Sequence, residues 1–436
     1  MMGPRLHLLP GPSPLVFAVD GSRLFGVTPD LFQELEKEEQ QPQPPPETRL
    51  ERDPEREPER ELEAPSAISL NVAQSCNLAC SYCYADEGRF GDRPGLMSFE
   101  VARTAIDRAL EQSTGRRITI GFIGGEPFVN RSLLYRAVDH ARLRAREVGA
   151  SVGFSVTTNG TLLTPSDLEF LRRHAFAVSV SLDGSASAND AHRRSLDGTS
   201  AFDRTVRAVE PLLRDPGRTR IAARATLTRR DYRVLDRVRA LSDLGFREVG
   251  VSPLRVSPNP DLAFRDEDWL PFLDEMVEAA ESDWETARVS GRFHFSNVFA
   301  ALKQIHVGHC KPLPCGSAAS YVSVSARGEY FSCHRTINDS RFQMGNVVDG
   351  LDTSARKSFL RLRHVDLQEP CASCWARYFC GGGCHAEVIA AGRRGCDYIR
   401  GWLEFCLGAY VELSAARPDY FDKPRCEPEA IEIEPA

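Results

Sequence analysis

Residues 67–83, AISLNVAQSCNLACSYC, carry the pattern that decides how this chain folds. The first part, 67–73, is a short and largely apolar run of the kind that forms a buried strand. Directly after it come three cysteines, Cys76, Cys80 and Cys83. Functional groups in α/β barrels lie where strands end and loops begin. We therefore expect a functional site to start at this loop.

Five more β-rich runs follow, separated by amphipathic helical stretches. The runs are 117–124, 153–160, 177–184, 220–228 and 248–256, and the helical stretches include 132–148 and 232–246. Regular alternation of strands and helices with right-handed crossovers gives a parallel sheet. Six units predict an α/β fold, a partial (β/α)6 TIM-like barrel, which we assign to residues 66–290.

Before the predicted barrel, the sequence divides into two parts. Residues 14–36 predict a hairpin with Asp20-Gly21 at its turn and a short helix from Pro29, so we assign 1–36 to an N-terminal hairpin element. Residues 37–65 are dominated by Pro, Glu, Gln and Arg, which bury little apolar surface. We interpret them as a disordered linker.

After the barrel, the chain becomes rich in cysteine. We assign 300–412 to a second domain held together more by metal than by core packing, with a hairpin around Arg327-Gly328. Residues 413–436 form an acidic tail.

Composition excludes several classes of protein. Hydrophobic residues at 42% and charged residues at 26% of the 436 positions fit a globular chain. No apolar run approaches the roughly 18 residues that span a bilayer, and Gly and Pro interrupt the first apolar stretch, so we expect a cytoplasmic protein. The net charge of −7 gives no electrostatic case for nucleic acid or a membrane as partner.

Thirteen cysteines in a chain expected to stay in a reducing compartment point to metal or redox chemistry. The C-x3-C-x2-C spacing of the first group suits three corners of a cubane iron–sulfur cluster, whose fourth iron then has no protein ligand. A structural zinc site wants four ligands, so the zinc alternative needs a distant fourth one.

A second group follows in CASCWARYFCGGGC, residues 371–384, where Cys371, Cys374, Cys380 and Cys384 have a C-x2-C-x5-C-x3-C spacing. Four thiolates within fourteen residues indicate a metal site. From spacing alone, a zinc ribbon and an iron–sulfur cluster both stay open.

The loop CNLACSYCYA, residues 76–85, resembles the signature loop of the radical S-adenosylmethionine (SAM) enzymes. In that family a [4Fe–4S] cluster binds SAM and cleaves it to a 5′-deoxyadenosyl radical. GGEP at 124–127, TTNG at 157–160 and SLDG at 181–184 also match the family's order of motifs. NDAHR at 189–193 resembles the HDxxR stretch that follows in many relatives, with Asn189 in place of the leading His. TTNG and SLDG are common turn sequences too, so a purely structural role for them stays open.

The resemblance implies which residues bind the cofactor. GGEP is expected to meet the methionine amino group, because glycines allow close backbone approach and a carboxylate suits an ammonium. Arg224 either pairs with the cofactor carboxylate or is simply solvated. The expected cofactor contacts are Tyr82, Gly124, Gly125, Glu126, Pro127, Thr158, Asn159, Ser181, Asp183 and Arg193.

The later cysteines resemble the SPASM extension of some radical SAM enzymes, which carries two auxiliary [4Fe–4S] clusters. The resemblance assigns Cys371, Cys374, Cys380 and Cys396 to the outer cluster, Cys396 being preferred over Cys406. It assigns Cys315, Cys333 and Cys384 to the inner one. The fourth inner ligand is either Cys310, which we favour slightly, or an open position for a substrate thiolate; Cys426 is not assigned.

Function follows from the same resemblance. It implies an enzyme that oxidises a peptide or protein, by C–S or C–C crosslinking of a ribosomally made peptide recognised through a leader, with a one-electron donor such as flavodoxin or ferredoxin. One alternative is a sulfatase or quinoprotein maturase, disfavoured because His334 follows Cys333 where the sulfatase branch has an acid. Another is a non-catalytic zinc-ribbon protein. No acid or base is selected among His334, Glu87 and Asp183.

Overall fold

The structure is a computed structural model that describes residues 5–39, 62–113 and 115–421. Most of the predicted linker, most of the acidic tail and Cys426 lie outside these residues.

The strands are β1 Leu6–Leu9, β2 Leu15–Ala18, β3 Arg23–Gly26, β4 Ala67–Gln74, β5 Leu78–Cys80, β6 Gly95–Leu96, β7 Arg117–Gly124, β8 Ser151–Thr158, β9 Ala177–Ser181, β10 Arg193–Ser195, β11 Arg220–Leu227, β12 Val249–Pro253, β13 Tyr321–Val324, β14 Glu329–Phe331, β15 Gln343–Asn346 and β16 Gly350–Leu351.

Helices separate the parallel strands and continue into the last third of the chain. They are α1 Pro29–Glu39, α2 Phe99–Glu111, α3 Arg131–Glu147, α4 Pro165–Arg173, α5 Ala186–Asp190, α6 Ala201–Arg214, α7 Val234–Asp243, α8 Trp269–Ser290, α9 Ser296–His306, α10 Thr353–Arg363, α11 Arg377–Cys380, α12 His385–Ala391 and α13 Cys396–Ala416.

The six predicted barrel strands form one parallel sheet in sequence order. They are β4, β7, β8, β9, β11 and β12, and each pairs in parallel with the next. Seven of the eight residues of β4 are buried, which fits a strand covered on both faces. The α/β fold with a parallel sheet is confirmed.

The sheet does not end at β4. Strand β13 pairs in parallel with β4, and β14, β15 and β16 extend it as an antiparallel meander. The hydroxyl groups of Ser69 and Ser323 meet across this junction at 2.7 Å. The barrel region and the cysteine-rich region therefore share one sheet, although the sequence was divided between two predicted domains.

The N-terminal element contains the predicted hairpin, formed by β2 and β3, and an additional strand, β1. It packs against the cysteine-rich region: the ring of His7 stacks on Trp375 with centroids 3.8 Å apart, and Arg377 donates to Asp20 at 2.8 Å. The sequence did not suggest β1, because its four residues stand directly before a Gly-Pro turn.

Candidate cofactor and cluster site

The first three cysteines lie together at the carboxyl end of β4. Cys80 is held in β5, which pairs with β10 so that Cys80 lies opposite Arg193. Burial, together with the neighbouring Glu126, Cys80 and Cys83, raises the pKa of Cys76 to about 12. Burial also raises the pKa of Cys80 to about 11, while Arg193 opposes that shift. Three partly buried thiols whose thiolates would repel one another favour a bound metal group that neutralises those charges.

Arg193 belongs to a buried polar cluster beside these thiols. Its guanidinium donates two hydrogen bonds of 3.0 Å to the carboxylate of Asp183. The same carboxylate accepts hydrogen bonds from the hydroxyl of Tyr82 and from the backbone N–H of Thr226. Asp183 is therefore saturated by donors and fixes Tyr82 and Arg193 next to Cys80.

The GGEP segment brings the end of β7 against the cysteine loop. A Cβ added at Gly125 would lie 2.3 Å from the carbonyl oxygen of Ser75, and one at Gly124 would lie 2.4 Å from that of Ala73. Only glycine fits at either position, because any side chain would collide with the backbone. Gly124 and Gly125 thus form a wall of backbone beside the thiols.

Glu126 is fully buried behind that wall. Its carboxylate accepts hydrogen bonds from the Thr158 hydroxyl at 2.7 Å and from the Asn159 N–H at 2.7 Å. Burial raises the pKa of Glu126 to about 7. In this structure the carboxylate ties the end of β8 to the end of β7, and Pro127 begins the short turn that follows. Direct contact between Glu126 and a bound ammonium remains a prediction.

A cavity of about 330 Å³ opens over the three cysteines. Of the expected cofactor residues, those that line it are Tyr82, Gly124, Gly125, Thr158, Asn159, Ser181 and Arg193. Asp183 and Glu126 stand behind the wall and position the residues in front of them. Arg224 does not line this cavity; it is exposed and donates to the Ser296 hydroxyl at 2.9 Å, and its contact with a cofactor carboxylate stays a prediction.

The roof of this cavity comes from the cysteine-rich region. It consists of His334, Arg335 and Glu387. Arg335 donates to Glu387 at 2.8 Å, and Arg255 approaches the second carboxylate oxygen at 3.9 Å. Burial and the adjacent Arg335 lower the pKa of His334 to about 4. The cavity thus presents a neutral imidazole and a paired carboxylate to whatever enters it.

Sequence reasoning had named His334 among three candidates but had missed Arg335 and Glu387. Glu387 stands three residues after Cys384, a spacing that carried no signal until the fold placed α12 above the cavity. Glu87, another of the named candidates, is exposed and pairs with Arg89.

The second cysteine field divides into two groups. Burial raises the pKa of the Cys396 thiol, and the nearby Cys371 and Cys374 contribute to this rise. Burial likewise raises the pKa of the Cys380 thiol, with contributions from Cys371 and Cys396. Burial also raises the pKa of the Cys333 thiol, and the nearby Cys384 and Cys315 contribute to this rise. The assignment of these cysteines to two clusters stays a prediction.

Glycines bring the two groups together. Gly381, Gly382 and Gly383 all have positive φ, and a Cβ at Gly381 would lie 2.4 Å from the Cα of Pro314. This close approach places the loop between Cys380 and Cys384 beside Cys315. A larger cavity, of about 550 Å³, lies against both groups and shares Glu387 with the first cavity.

Two further cysteines differ from these groups. The thiol of Cys310 contacts the backbone carbonyl of Asp20 at 3.7 Å, and Cys310 does not line the cavity that Cys315 and Cys384 share. Cys406 is completely buried inside α13, where burial raises its thiol pKa. Cys396, at the first turn of α13, is therefore the better placed of the two for the outer group.

Within residues 5–39, 62–113 and 115–421, no three His, Cys, Asp or Glu side chains converge on a point that a single metal ion could occupy. Among the helices described, none is long and apolar enough to cross a membrane.

Comparison with known proteins matches residues 70–215 to the Radical SAM superfamily. The chain is 28% identical over 383 residues to the mycofactocin maturase of Mycobacterium tuberculosis, covering 84% of this chain and 89% of that one. It is 24% identical over 339 residues to the serine-type anaerobic sulfatase-maturating enzyme of Klebsiella aerogenes, covering 74% and 80% of the two chains.

A similar fold occurs in the structure of native anSMEcpe with bound AdoMet and Kp18Cys peptide. The two superpose with a TM-score of 0.68 at 20% identity, covering 80% of this chain and 99% of that one. At this identity the likeness concerns the fold.

Proposed function

We propose that this chain is a radical SAM enzyme that reductively cleaves S-adenosylmethionine and oxidatively modifies a ribosomally synthesised peptide, forming a C–S or C–C crosslink. The observation that carries the proposal is the cavity with cysteine thiols at its floor and His334, Arg335 and Glu387 at its roof. One end of that cavity suits a metal cofactor, and the other suits a polar substrate.

The residues at the floor fit a [4Fe–4S] cluster and SAM. Cys76, Cys80 and Cys83 offer three soft donors, which leaves one iron for the methionine group. When bound, the cluster supplies the electron that splits the sulfonium bond. The chain's part is to bind and orient: Gly124 and Gly125 allow close backbone approach, and Arg193 is held by Asp183 at a fixed position.

A peptide substrate is supported by the relatives. One is a mycofactocin maturase and another is a sulfatase-maturating enzyme, and a fold neighbour holds the Kp18Cys peptide. In this chain, Glu387 and the neutral His334 are the groups placed to accept a proton that the substrate loses on oxidation. Arg335 orients Glu387 through their 2.8 Å hydrogen bond.

We further propose two auxiliary [4Fe–4S] clusters. The outer one is held by Cys371, Cys374, Cys380 and Cys396. The inner one is held by Cys315, Cys333 and Cys384, with its fourth position open, since Cys310 faces Asp20. These clusters lie beyond the roof and would accept the second electron that a closed-shell product requires.

The N-terminal element offers a place for a leader peptide. Strand β3 is the edge of a three-stranded sheet, and Phe25 on it is 52% exposed. An extended leader would pair with this edge as a further strand, with Phe25 covered by a leader side chain.

A sulfatase or quinoprotein maturase is the second candidate, because one relative is a sulfatase-maturating enzyme. His334 follows Cys333 where the resemblance implies an acid in the sulfatase branch, which favours the peptide crosslinking function. The zinc-ribbon alternative is separated from both by the metal content of the purified protein.

The test is anaerobic reconstitution with iron and sulfide, followed by incubation with SAM and dithionite. We expect a brown protein with about twelve irons, the content of three cubanes, that releases 5′-deoxyadenosine. Co-expression with each small open reading frame encoded nearby, followed by mass spectrometry, should show a loss of two hydrogens per crosslink. A colourless zinc protein would contradict the proposal, and oxidation of one Ser or Cys in a large protein would favour the second candidate.

A further inference from the structure

A third cavity, of about 450 Å³, lies beside the cysteine loop. It is built by the loops that follow β9, β11 and β12, and Ser81 of the cysteine loop forms part of its wall. Ser81 stands between Cys80 and Cys83. The cavity therefore borders the cysteine loop next to Cys80.

The lining of this cavity is predominantly cationic. Arg194, Arg230 and Arg237 all contribute to it. Its two carboxylates already have cationic partners, since Asp183 pairs with Arg193 and Asp231 pairs with Arg237. Arg194 and Arg230 are exposed, and among the described residues neither makes an ion pair. An anionic group entering the cavity would thus meet two uncompensated charges.

Arg237 is built into the cavity rather than lying at its surface. It is only 5% exposed, and its Nε has no hydrogen-bond acceptor within the part of the chain that the structure describes. A buried donor without an acceptor is uncommon and indicates a missing partner. Gly184 makes room for it, because a Cβ at that position would lie 2.6 Å from Cδ of Arg237.

The wall of the cavity connects directly to the cluster ligands. Ser81 hydrogen bonds to Nδ1 of His192 at 2.9 Å, and the backbone N–H of Ser81 donates to the carbonyl of His192 at 3.0 Å. Arg194 stands on β10, opposite Ala79 on the strand that ends at Cys80. A molecule seated here would contact Ser81, which is adjacent in sequence to Cys80 and two positions before Cys83.

We infer that this cavity is where an acidic one-electron carrier protein docks to reduce the SAM-binding cluster, with one of its carboxylates inserted between Arg194, Arg230 and Arg237. The inference rests on the proposed function, which requires one electron per SAM cleaved. The electron passes from the reduced carrier to the oxidised cluster, and no bond forms or breaks in that step. Encounters of this kind bury little area and depend on charge complementarity.

Flavodoxin, an acidic flavoprotein, is the probe for the test, and dithionite serves as a small reductant that needs no docking surface. The variant is Arg194→Glu/Arg230→Glu, and the matched control is Arg214→Glu/Arg220→Glu. The control changes the net charge equally at the opposite, amino-terminal edge of β11, where Arg214 and Arg220 are 76% and 63% exposed.

The measured quantity is the rate of cluster reduction, followed as bleaching of visible absorbance under anaerobic conditions without SAM. For each protein the flavodoxin rate is divided by its own dithionite rate. We expect this ratio to fall about tenfold or more in the variant at low ionic strength, and its salt dependence to weaken. The control should keep the wild-type ratio and salt dependence.

An unchanged ratio in the variant, or an equal fall in the control, would overturn the docking site. The charge-neutral variant Arg194→Gln/Arg230→Gln should change the ratio in the same direction by a smaller factor, and an opposite change would also overturn it. The proposed function is judged separately, because a wild-type protein that releases no 5′-deoxyadenosine with dithionite would contradict that function while the reduction ratios still decide the docking site.

Discussion

The two cysteine regions of this protein are built on different foundations. The first group stands at the carboxyl ends of parallel strands, with Cys80 in a strand pair and the glycines of GGEP packed against the loop. The second field runs through short turns and loops, with Cys371 in a three-residue turn and Cys380 in a four-residue helix. We infer that the sheet shapes the first site in advance, whereas the second would depend on the clusters that we propose it binds.

This difference matters for chemistry. A site that must bind and orient a cofactor for a defined reaction benefits from a rigid sheet edge, because small displacements cost rate. A site that holds a complete cluster gains its rigidity from the metal–thiolate bonds themselves. The following experiments test whether the two regions differ in this way.

The largest effect is expected when a thiol of each region is removed. Cys80→Ala should abolish 5′-deoxyadenosine formation, because a cluster with two protein ligands does not present SAM in a fixed geometry. Cys374→Ala should retain SAM cleavage and lose peptide modification. Product analysis by liquid chromatography checks both, and Cys406→Ala, at a buried thiol outside either group, should keep the full iron content. Undiminished turnover in Cys80→Ala would refute the role of the first group.

The shared sheet predicts a large effect on stability. Val322 in β13 is completely buried beside β4, so Val322→Asp places a charge in the core and should lower the free energy of unfolding by about 3 kcal/mol or more. Both regions should unfold in one transition, as followed by circular dichroism and by iron release. Val348→Asp is the control, since Val348 is 74% exposed and should change stability little. Separate transitions in Val322→Asp would show that the regions are independent.

Metal removal should distinguish the regions by hydrogen exchange. In protein stripped of iron and kept reduced, amides between Cys371 and Cys396 should lose protection by about tenfold or more, because the turns there lose their crosslink. Amides of β7 and β8 should keep theirs, since their partners are strands. Equal loss in both regions would mean that the sheet does not hold the first site in shape.

The burial of Glu126 predicts a smaller, pH-dependent effect on the free energy of unfolding. Its pKa is raised to about 7 by burial, so the native state binds a proton that the unfolded chain releases near pH 4.5. Stability from this group is therefore present below pH 4.5 and lost as pH rises toward 7, and it is constant above about pH 8.

Between pH 5 and pH 8, the free energy of unfolding of the iron-free wild type should accordingly fall by about 2 kcal/mol relative to that of Glu126→Gln. Urea unfolding at several pH values measures it. Glu111→Gln, which alters an exposed glutamate, should show no such trend. A constant difference between wild type and Glu126→Gln would mean that Glu126 is ionised throughout this range.

Much of the fold was predictable from the sequence because its signals are local. Each barrel strand is a short apolar run followed by a turn sequence, so existence and order of the six strands followed directly. The pairing of β13 with β4 was not predictable, since nothing in SYVSV indicates which strand edge it will meet. The strand pair that holds Cys80 opposite Arg193 was missed for the same reason.

The candidate site likewise combines residues that were predictable from the sequence with residues that were not. Cys76, Cys80 and Cys83 were visible from spacing, and Gly124 and Gly125 from their place after a strand. Glu387 and Arg335 were not, because they come from the other end of the chain and meet Tyr84 and Arg255 only in three dimensions. Residues that act by holding others, such as Asp183, are recognised only from their hydrogen bonds.

The junction between β4 and β13 has a consequence for biosynthesis. Ser69 and Ser323, which meet there, are separated by 254 positions, so at a ribosomal rate of roughly 5–20 residues per second the first strand waits about 13–50 s for its neighbour. During that interval an apolar edge stands open to other nascent chains, which is a known route to aggregation. Lower growth temperatures and added chaperones should therefore raise the yield of intact enzyme more than substitutions in only the barrel region or only the cysteine-rich region.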